Sequence, residues 1–147
     1  MTDGPEPRTL GLTCTFPVSL ERVYRALTDP TTLVRWWGPA GFTTPEIDFE
    51  PAVGAAYRLG MQPPEGERFY LVGEFLEVDA PTRLTFTFRW EDPDPDDRET
   101  VVRVSLDAVD GRTRMSLWQG PFVTDARLAL HRNGWTDSIS KLTELLS

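Results

Sequence analysis

Cysteine, histidine and lysine are each almost absent from this sequence of 147 residues. Cys14 is the only cysteine, which excludes an intrachain disulfide and a cysteine-rich zinc site and is typical of a reducing, cytoplasmic environment. His131 is the only histidine, so every site that needs two imidazoles is excluded. Lys141 is the only lysine, and a Schiff base would need that side chain or the terminal amine. We therefore expect neither a metal nor a cofactor.

Long apolar runs and a surplus of positive charge are also missing. No run approaches the roughly 20 residues of a membrane span, and residues 1–7 are too short and polar for a signal peptide. Lys and Arg number 15 against 23 Asp and Glu, and the resulting net charge of −8 repels phosphate backbones and anionic membrane surfaces. We expect a soluble cytoplasmic protein that binds neither nucleic acid nor membranes.

The apolar content is sufficient for one domain with its own core. Hydrophobic residues make up 39% of the chain and aromatic residues 11%. A chain of this length buries roughly two-thirds of its unfolded surface when it folds. We predict a flexible N-terminus over residues 1–7 and a single domain over residues 8–147, which is either a monomer or a homodimer.

The hydropathy pattern changes period twice along the chain. Residues 8–16 alternate as a strand, and Ser19 and Asp29 are N-cap signals for two short helices, the second extending to Trp37. A period of two then predicts six strands, near 42–49, 55–61, 68–78, 83–90, 99–108 and 112–119. Thr124 caps a final helix with an apolar face made of Leu128, His131, Trp135, Ile139, Leu142 and Leu146. This order predicts an α+β helix-grip fold, a curved antiparallel sheet of about seven strands around the long C-terminal helix.

Four short motifs carry a resemblance to a known family: TDP at 28–30, RWWGP at 35–39, GEF at 73–75 and HRNGW at 131–135. In combination they resemble the activator of heat-shock protein 90 ATPase homologue family of the START/SRPBCC superfamily. The resemblance implies the helix-grip fold and often an internal cavity for apolar molecules between sheet and long helix. It does not imply one activity, because members include a co-chaperone domain and superfamily relatives include polyketide cyclases and lipid carriers.

Several side chains are candidates for lining such a cavity. His131 and Trp135 are neighbours at positions i and i+4 of the final helix, where the imidazole either binds a ligand carbonyl or hydroxyl or only fixes the packing. Alternation on the strands selects further candidates that equally suit an ordinary core. The complete set of predicted ligand-binding residues is Trp37, Tyr57, Leu59, Met61, Met115, Leu117, His131 and Trp135. We expect Trp36, in contrast, to lie partly at the surface.

The charged residues and one glycine carry weaker expectations. The acidic segment 91–98 has no glycine, so it does not match a calcium loop and is interpreted as solvated. Arg58 and Arg103 are expected to face solvent and pair with carboxylates. Gly134 costs about 1 kcal/mol relative to alanine inside a helix, so a bulky neighbour is one explanation for it. Strand carboxylates that an acid–base reaction would need are Glu46, Asp48, Glu74 and Glu77.

Three functional hypotheses follow. The leading one is a non-catalytic protein that binds a small apolar or aromatic molecule between the final helix and the sheet. The second is a co-chaperone-like module that docks on a chaperone or another protein through its acidic surface. The third is a cyclase-like or hydratase-like enzyme that uses His131 with one strand carboxylate, although the sequence assigns no catalytic residue.

Overall fold

The computed structural model describes residues 8–147, so the predicted flexible N-terminus lies outside the described residues. Seven antiparallel strands form one sheet in the order β1-β7-β6-β5-β4-β3-β2. The elements are β1 (Arg8–Phe16), α1 (Leu20–Thr28), α2 (Pro30–Leu33), β2 (Thr43–Asp48), β3 (Ala56–Gln62), β4 (Phe69–Asp79), β5 (Arg83–Trp90), β6 (Thr100–Val109), β7 (Arg112–Phe122) and α3 (Asp125–Leu145). The predicted helix-grip architecture is confirmed.

The helix starts follow the capping signals in the sequence. Ser19 Oγ accepts the backbone N–H three residues further on at 3.3 Å, and the Asp29 carboxylate accepts the N–H two residues further on at 3.0 Å. Helix α2 ends at Leu33, four residues earlier than predicted, and a turn carries the chain to Trp37. This turn still directs the Trp37 N–H to the Leu33 carbonyl at 3.0 Å.

Helix α3 begins at the predicted cap, where Thr124 Oγ1 accepts a backbone N–H of the first turn at 3.1 Å. The helix packs against β1 and β7, while α1 packs against β6 and β7. Trp135 and Leu142 of α3 are buried in the same core cluster as the inward faces of the strands. None of the helices within residues 8–147 has the length and apolar character of a membrane span.

A buried tyrosine joins three strands at one end of the core. Tyr57 in β3 stands opposite Gly73 in β4, and its hydroxyl donates to the Thr87 carbonyl in β5 at 2.6 Å. A Cβ atom at Gly73 would lie 2.1 Å from that carbonyl oxygen, so only glycine allows the tyrosine to pass. Burial also raises the pKa of the Tyr57 phenol. The glycine of the GEF motif therefore has a structural explanation.

The acidic segment between β5 and β6 is less free than the sequence suggests. Most of its residues are exposed, as predicted. However, Arg127 in the first turn of α3 lies 3.0 Å from the Asp96 carboxylate and 3.3 Å from that of Asp97, and it also pairs with Asp94. The Arg127 guanidinium lowers the pKa of the Asp96 carboxyl. These ion pairs therefore hold the segment against α3. Because the paired residues are some 30 positions apart, no local sequence pattern predicts the contact.

Candidate ligand-binding pocket

An apolar pocket of about 160 Å³ lies where α3 faces the loop after α2 and strands β3 to β5. Leu130, whose exposed fraction is 56%, is part of its lining and lies where the pocket meets solvent. The lining residues are Trp37, Gly38, Pro39, Phe42, Met61, Phe69, Phe88, Trp90, Leu130, His131, Gly134, Trp135 and Ser138. Because most of these side chains are apolar or aromatic, the pocket offers contact area to a ligand and few polar partners.

The loop of residues 37–40 is held on α3 by polar contacts. Ser138 Oγ accepts the Gly38 N–H at 3.0 Å and lies 3.0 Å from the Gly38 carbonyl oxygen. The Lys141 ammonium donates to two carbonyls of the loop at 3.4 and 3.5 Å. Asp137 accepts the N–H of the last loop residue at 3.1 Å. Gly38 adopts a φ of +97°, which explains the glycine of the RWWGP motif. This side of the pocket is therefore held in place without a ligand.

Aromatic pairs build the walls of the pocket. Trp37 meets Trp135 edge to face, with ring centroids 5.2 Å apart. Trp90 makes similar contacts with Phe69 and Phe88, each at 5.2 Å. Such pairs are worth about 0.5–1.5 kcal/mol beyond their buried area. The walls are therefore ordered by their own packing.

The indole N–H of Trp135 is already used by the protein. Trp135 Nε1 donates to Gln119 Oε1 at 2.7 Å, and Gln119 Nε2 donates to Thr100 Oγ1 at 2.9 Å. Gln119 is fully buried. A ligand therefore meets the ring of Trp135 and not its N–H group. Sequence reasoning missed this polar chain, and the only signal was that Gln119 continues the alternation of Met115 and Leu117 in β7.

His131 presents one nitrogen atom that the protein leaves free. Its Nδ1 lies 2.9 Å from the Arg127 carbonyl oxygen, and because a carbonyl only accepts, Nδ1 carries the proton. Nε2 is then a lone-pair acceptor, and within residues 8–147 it makes no hydrogen bond. Burial lowers the pKa of His131, so the imidazole is neutral at neutral pH. The ring packs on Phe122 and Phe88 at centroid distances of 4.9 and 5.4 Å.

No aspartate or glutamate of the described residues lines the pocket. Glu46 accepts hydrogen bonds from Tyr70 and Arg68 at 2.6 and 2.7 Å on an exposed part of the sheet, and these bonds lower the pKa of its carboxyl. Within residues 8–147 no group of His, Cys, Asp and Glu side chains has the arrangement of a metal site. The histidine–carboxylate pair of the enzyme hypothesis is therefore not assembled in this pocket.

The pocket contains half of the predicted ligand-binding residues. Trp37, Met61, His131 and Trp135 line it. Met115 and Leu117 instead line a separate void of about 20 Å³ deeper in the core, too small for a ligand. Tyr57 and Leu59 are buried in the core and do not line the pocket. Ligand binding by any of the eight predicted residues stays a prediction.

Sequence reasoning missed much of the aromatic wall. Phe42, Phe69, Phe88 and Trp90 lie in or next to three different strands, and only the order of strands in the assembled sheet brings their rings together. The alternation of Phe88 and Trp90 was visible in the sequence. It did not show that this end of the face lines the pocket, whereas Leu84 and Phe86 on the same face are buried in the core.

Three smaller expectations have clear outcomes. The prediction that Trp36 lies partly at the surface is wrong, because its exposed fraction is 2% and its Nε1 donates to the Ala26 carbonyl at 2.9 Å. Arg58 forms the predicted pair, with Glu91 at 2.9 Å. Arg103 stacks on the Trp118 ring at 4.8 Å, and within residues 8–147 it pairs with no carboxylate.

A sheet that grips a long C-terminal helix over an apolar pocket defines a helix-grip protein. The chain belongs to the Activator of Hsp90 ATPase homolog 1-like protein family, whose model matches residues 17–147. The resemblance inferred from the four motifs is thereby confirmed.

Solved structures agree with this membership. A Chromobacterium violaceum protein is 26% identical, with a TM-score of 0.86 over 95% of this chain and 96% of the other. The AHSA1 protein from Silicibacter pomeroyi is 29% identical, with a TM-score of 0.82 over 94% of this chain and 96% of the other. No curated protein matches the sequence.

Proposed function

We propose that this protein binds a small molecule with a single apolar or aromatic ring in the pocket between α3 and the sheet. The observation that supports the proposal is an aromatic-walled pocket of about 160 Å³ that the protein's own side chains leave open. Transfer of an apolar ring from water into such a site is favourable, at about 25 cal/mol per Å² of apolar surface removed from water.

The volume of the pocket selects the size of the ligand. An engineered apolar cavity of about 150 Å³ binds benzene, whereas pockets for drug-sized ligands measure about 300–1,000 Å³. The pocket of about 160 Å³ therefore matches one ring with a small substituent. A sterol or a long fatty acid exceeds this volume and would need the walls to move apart.

His131 favours a ligand that carries a hydrogen-bond donor. With Nδ1–H directed to the Arg127 carbonyl, the imidazole offers only a lone pair, on Nε2. A ring that carries a hydroxyl can donate to this acceptor, whereas a ring that carries only a carbonyl finds no donor on His131. We therefore expect a phenol such as p-cresol to bind more tightly than toluene.

Thermal denaturation and calorimetry with p-cresol, toluene and palmitate test the proposal. A ligand at about 100 times its Kd adds roughly 2.7 kcal/mol, which raises Tm by several degrees in a domain of this size. Gly134→Leu places a side chain in the pocket and abolishes binding in this account, while Asn133→Leu on the exposed face of the same helix leaves binding intact. Failure of every single-ring compound to raise Tm, with the protein well folded, would contradict the proposal.

The family description supports a second candidate, an action on the ATPase activity of a heat-shock protein 90 homologue. It would rest on the exposed surface and not on the pocket, so Gly134→Leu would leave it unchanged. The test measures ATP turnover of the chaperone with up to a tenfold excess of this protein. An unchanged turnover would dismiss this candidate.

A further inference from the structure

A second concave surface differs from the apolar pocket because three arginines line it. This groove of about 370 Å³ runs between α1, α2 and the C-terminal end of α3. We call it the arginine groove, and its lining residues are Arg22, Arg25, Ala26, Thr32, Arg35, Leu145 and Leu146. It shares no residue with the apolar pocket, so the two can fill independently.

The local structure explains why three arginines line the same groove. Arg22 and Arg25 are three residues apart on α1, so their side chains leave the same face of the helix. Arg35 lies in the turn after α2, and its N–H donates to the Thr32 carbonyl at 3.0 Å. The groove floor at Ala26 is held as well, because the Ala26 carbonyl accepts the buried indole N–H of Trp36. The arginines therefore extend from an ordered base.

Five arginines of the described residues pair with a carboxylate, and the three groove arginines are not among them. Arg58, Arg68 and Arg127 each have a carboxylate oxygen within 3.0 Å. Within residues 8–147, no carboxylate lies within 4.0 Å of the side-chain nitrogens of the three groove arginines. Other exposed arginines also lack such a partner, so what distinguishes this surface is that three of them lie around one groove in a chain whose net charge is −8.

The three arginines do not serve as hydrogen-bonding caps for the end of α3. The C-terminal end of α3 carries a partial negative charge of about one half, and its last turn has no basic residue of its own. The arginines lie beside this end, but none of them donates a hydrogen bond to it within the described residues. All three arginines are solvent-exposed, so their charges are accessible to an anion from solution. Three positive charges around one concave surface raise the local concentration of anions there.

We infer that the arginine groove binds the phosphate group of a small organic phosphate. Guanidinium groups match phosphate oxygens in a fork geometry with two hydrogen bonds, and several of them around one site suit a dianion. The organic part of the ligand rests on the apolar side chains of Ala26, Leu145 and Leu146. This inference does not depend on the proposed function, because a ligand in the apolar pocket touches none of these residues.

The test compares inorganic phosphate and butyl phosphate by ¹H–¹⁵N NMR titration, with sodium chloride at equal ionic strength as the reference. Both phosphates should shift the amides of residues 22–35 and 145–147 and leave those of 131–138 unchanged. Butyl phosphate should bind more tightly, because its chain covers the apolar floor. Equal Kd values for the two compounds would overturn the organic part of the inference, and no shift from either would overturn it entirely.

Charge-removing variants locate the site. Arg25→Gln and Arg35→Gln should each weaken phosphate binding about fivefold or more, since a hydrogen bond between charged groups is lost. Arg112→Gln, at the exposed β6–β7 turn, removes the same charge and serves as the control. The folding of each variant is checked by its Tm in chloride. The inference is wrong if Arg112→Gln weakens binding as much as Arg25→Gln, because the effect would then reflect net charge alone.

Discussion

Gly134 offers a test in which stability and ligand binding change in opposite directions. It lies in the middle of α3 and lines the apolar pocket. A Cβ atom here would meet Pro39 Cγ at 3.7 Å, an ordinary van der Waals distance, so the bulky neighbour considered from the sequence does not exclude a side chain. The glycine therefore keeps pocket volume open and does not relieve a clash.

The size of the effect follows from helix propensity. Alanine is better than glycine in a helix interior by about 1 kcal/mol, so Gly134→Ala should raise the free energy of unfolding by about that amount. In a domain of this size the Tm should rise by roughly 2–4 °C. The added methyl group also takes part of the pocket's volume of about 160 Å³, so p-cresol should bind more weakly.

The assay combines thermal denaturation without ligand and calorimetry with p-cresol. Asn133→Ala is the matched control, because Asn133 is exposed on the same helix and lies outside the pocket. That change should add up to about 0.7 kcal/mol from propensity and leave the Kd for p-cresol unchanged. A lower Tm in Gly134→Ala, or an unchanged Kd in that variant, would refute the reasoning.

Four further changes test other parts of the account. Gln119→Leu leaves the Trp135 N–H without its acceptor and should lower stability by about 2 kcal/mol in urea denaturation. Gly73→Ala places a Cβ 2.1 Å from a carbonyl oxygen of β5 and should cost at least about 3 kcal/mol by the same assay. Burial lowers the folded-state pKa of His131 below its unfolded value near 6.5, so the unfolded chain binds more protons in acid. The free energy of unfolding should therefore have its full value above pH 6.5 and decline as the pH falls from there through the folded-state pKa. His131→Gln should flatten that part of the profile. Arg127→Gln should lower the Tm at low salt, with a smaller deficit in 1 M sodium chloride, because ionic screening weakens the contacts it removes.

Much of the fold could be predicted because its signals are local. The capping residues Ser19, Asp29 and Thr124 each mark a helix start that the structure confirms. The bounds of the strands also follow the alternation closely, as in β5 over Arg83–Trp90. Helix α2 ended early because the periodicity of its apolar residues continues through a turn, which the sequence pattern does not separate from a helix.

The site was less accessible to sequence reasoning because it depends on strand pairing. Alternation identifies the inward face of β3 but does not show that Tyr57 lies in the closed core while Met61 reaches the pocket. Likewise, Trp36 was expected to be partly exposed because adjacent residues of a helix point about 100° apart and Trp37 was assigned to the core. The acceptor that accommodates its buried N–H, the Ala26 carbonyl, lies ten residues away and gives no local signal. Contacts of this kind depend on how elements pack, and the residue types alone do not reveal them.

A ¹H–¹⁵N NMR titration with p-cresol tests the central claim most directly. At about 5 mM a ligand with a millimolar Kd is largely bound. The account predicts shifts confined to the pocket lining, notably residues 37–42, 88–90 and 130–138, and their loss in Gly134→Leu. An unchanged spectrum, or equal shifts in wild type and Gly134→Leu, would contradict the claim that the pocket under α3 is a binding site for a single ring.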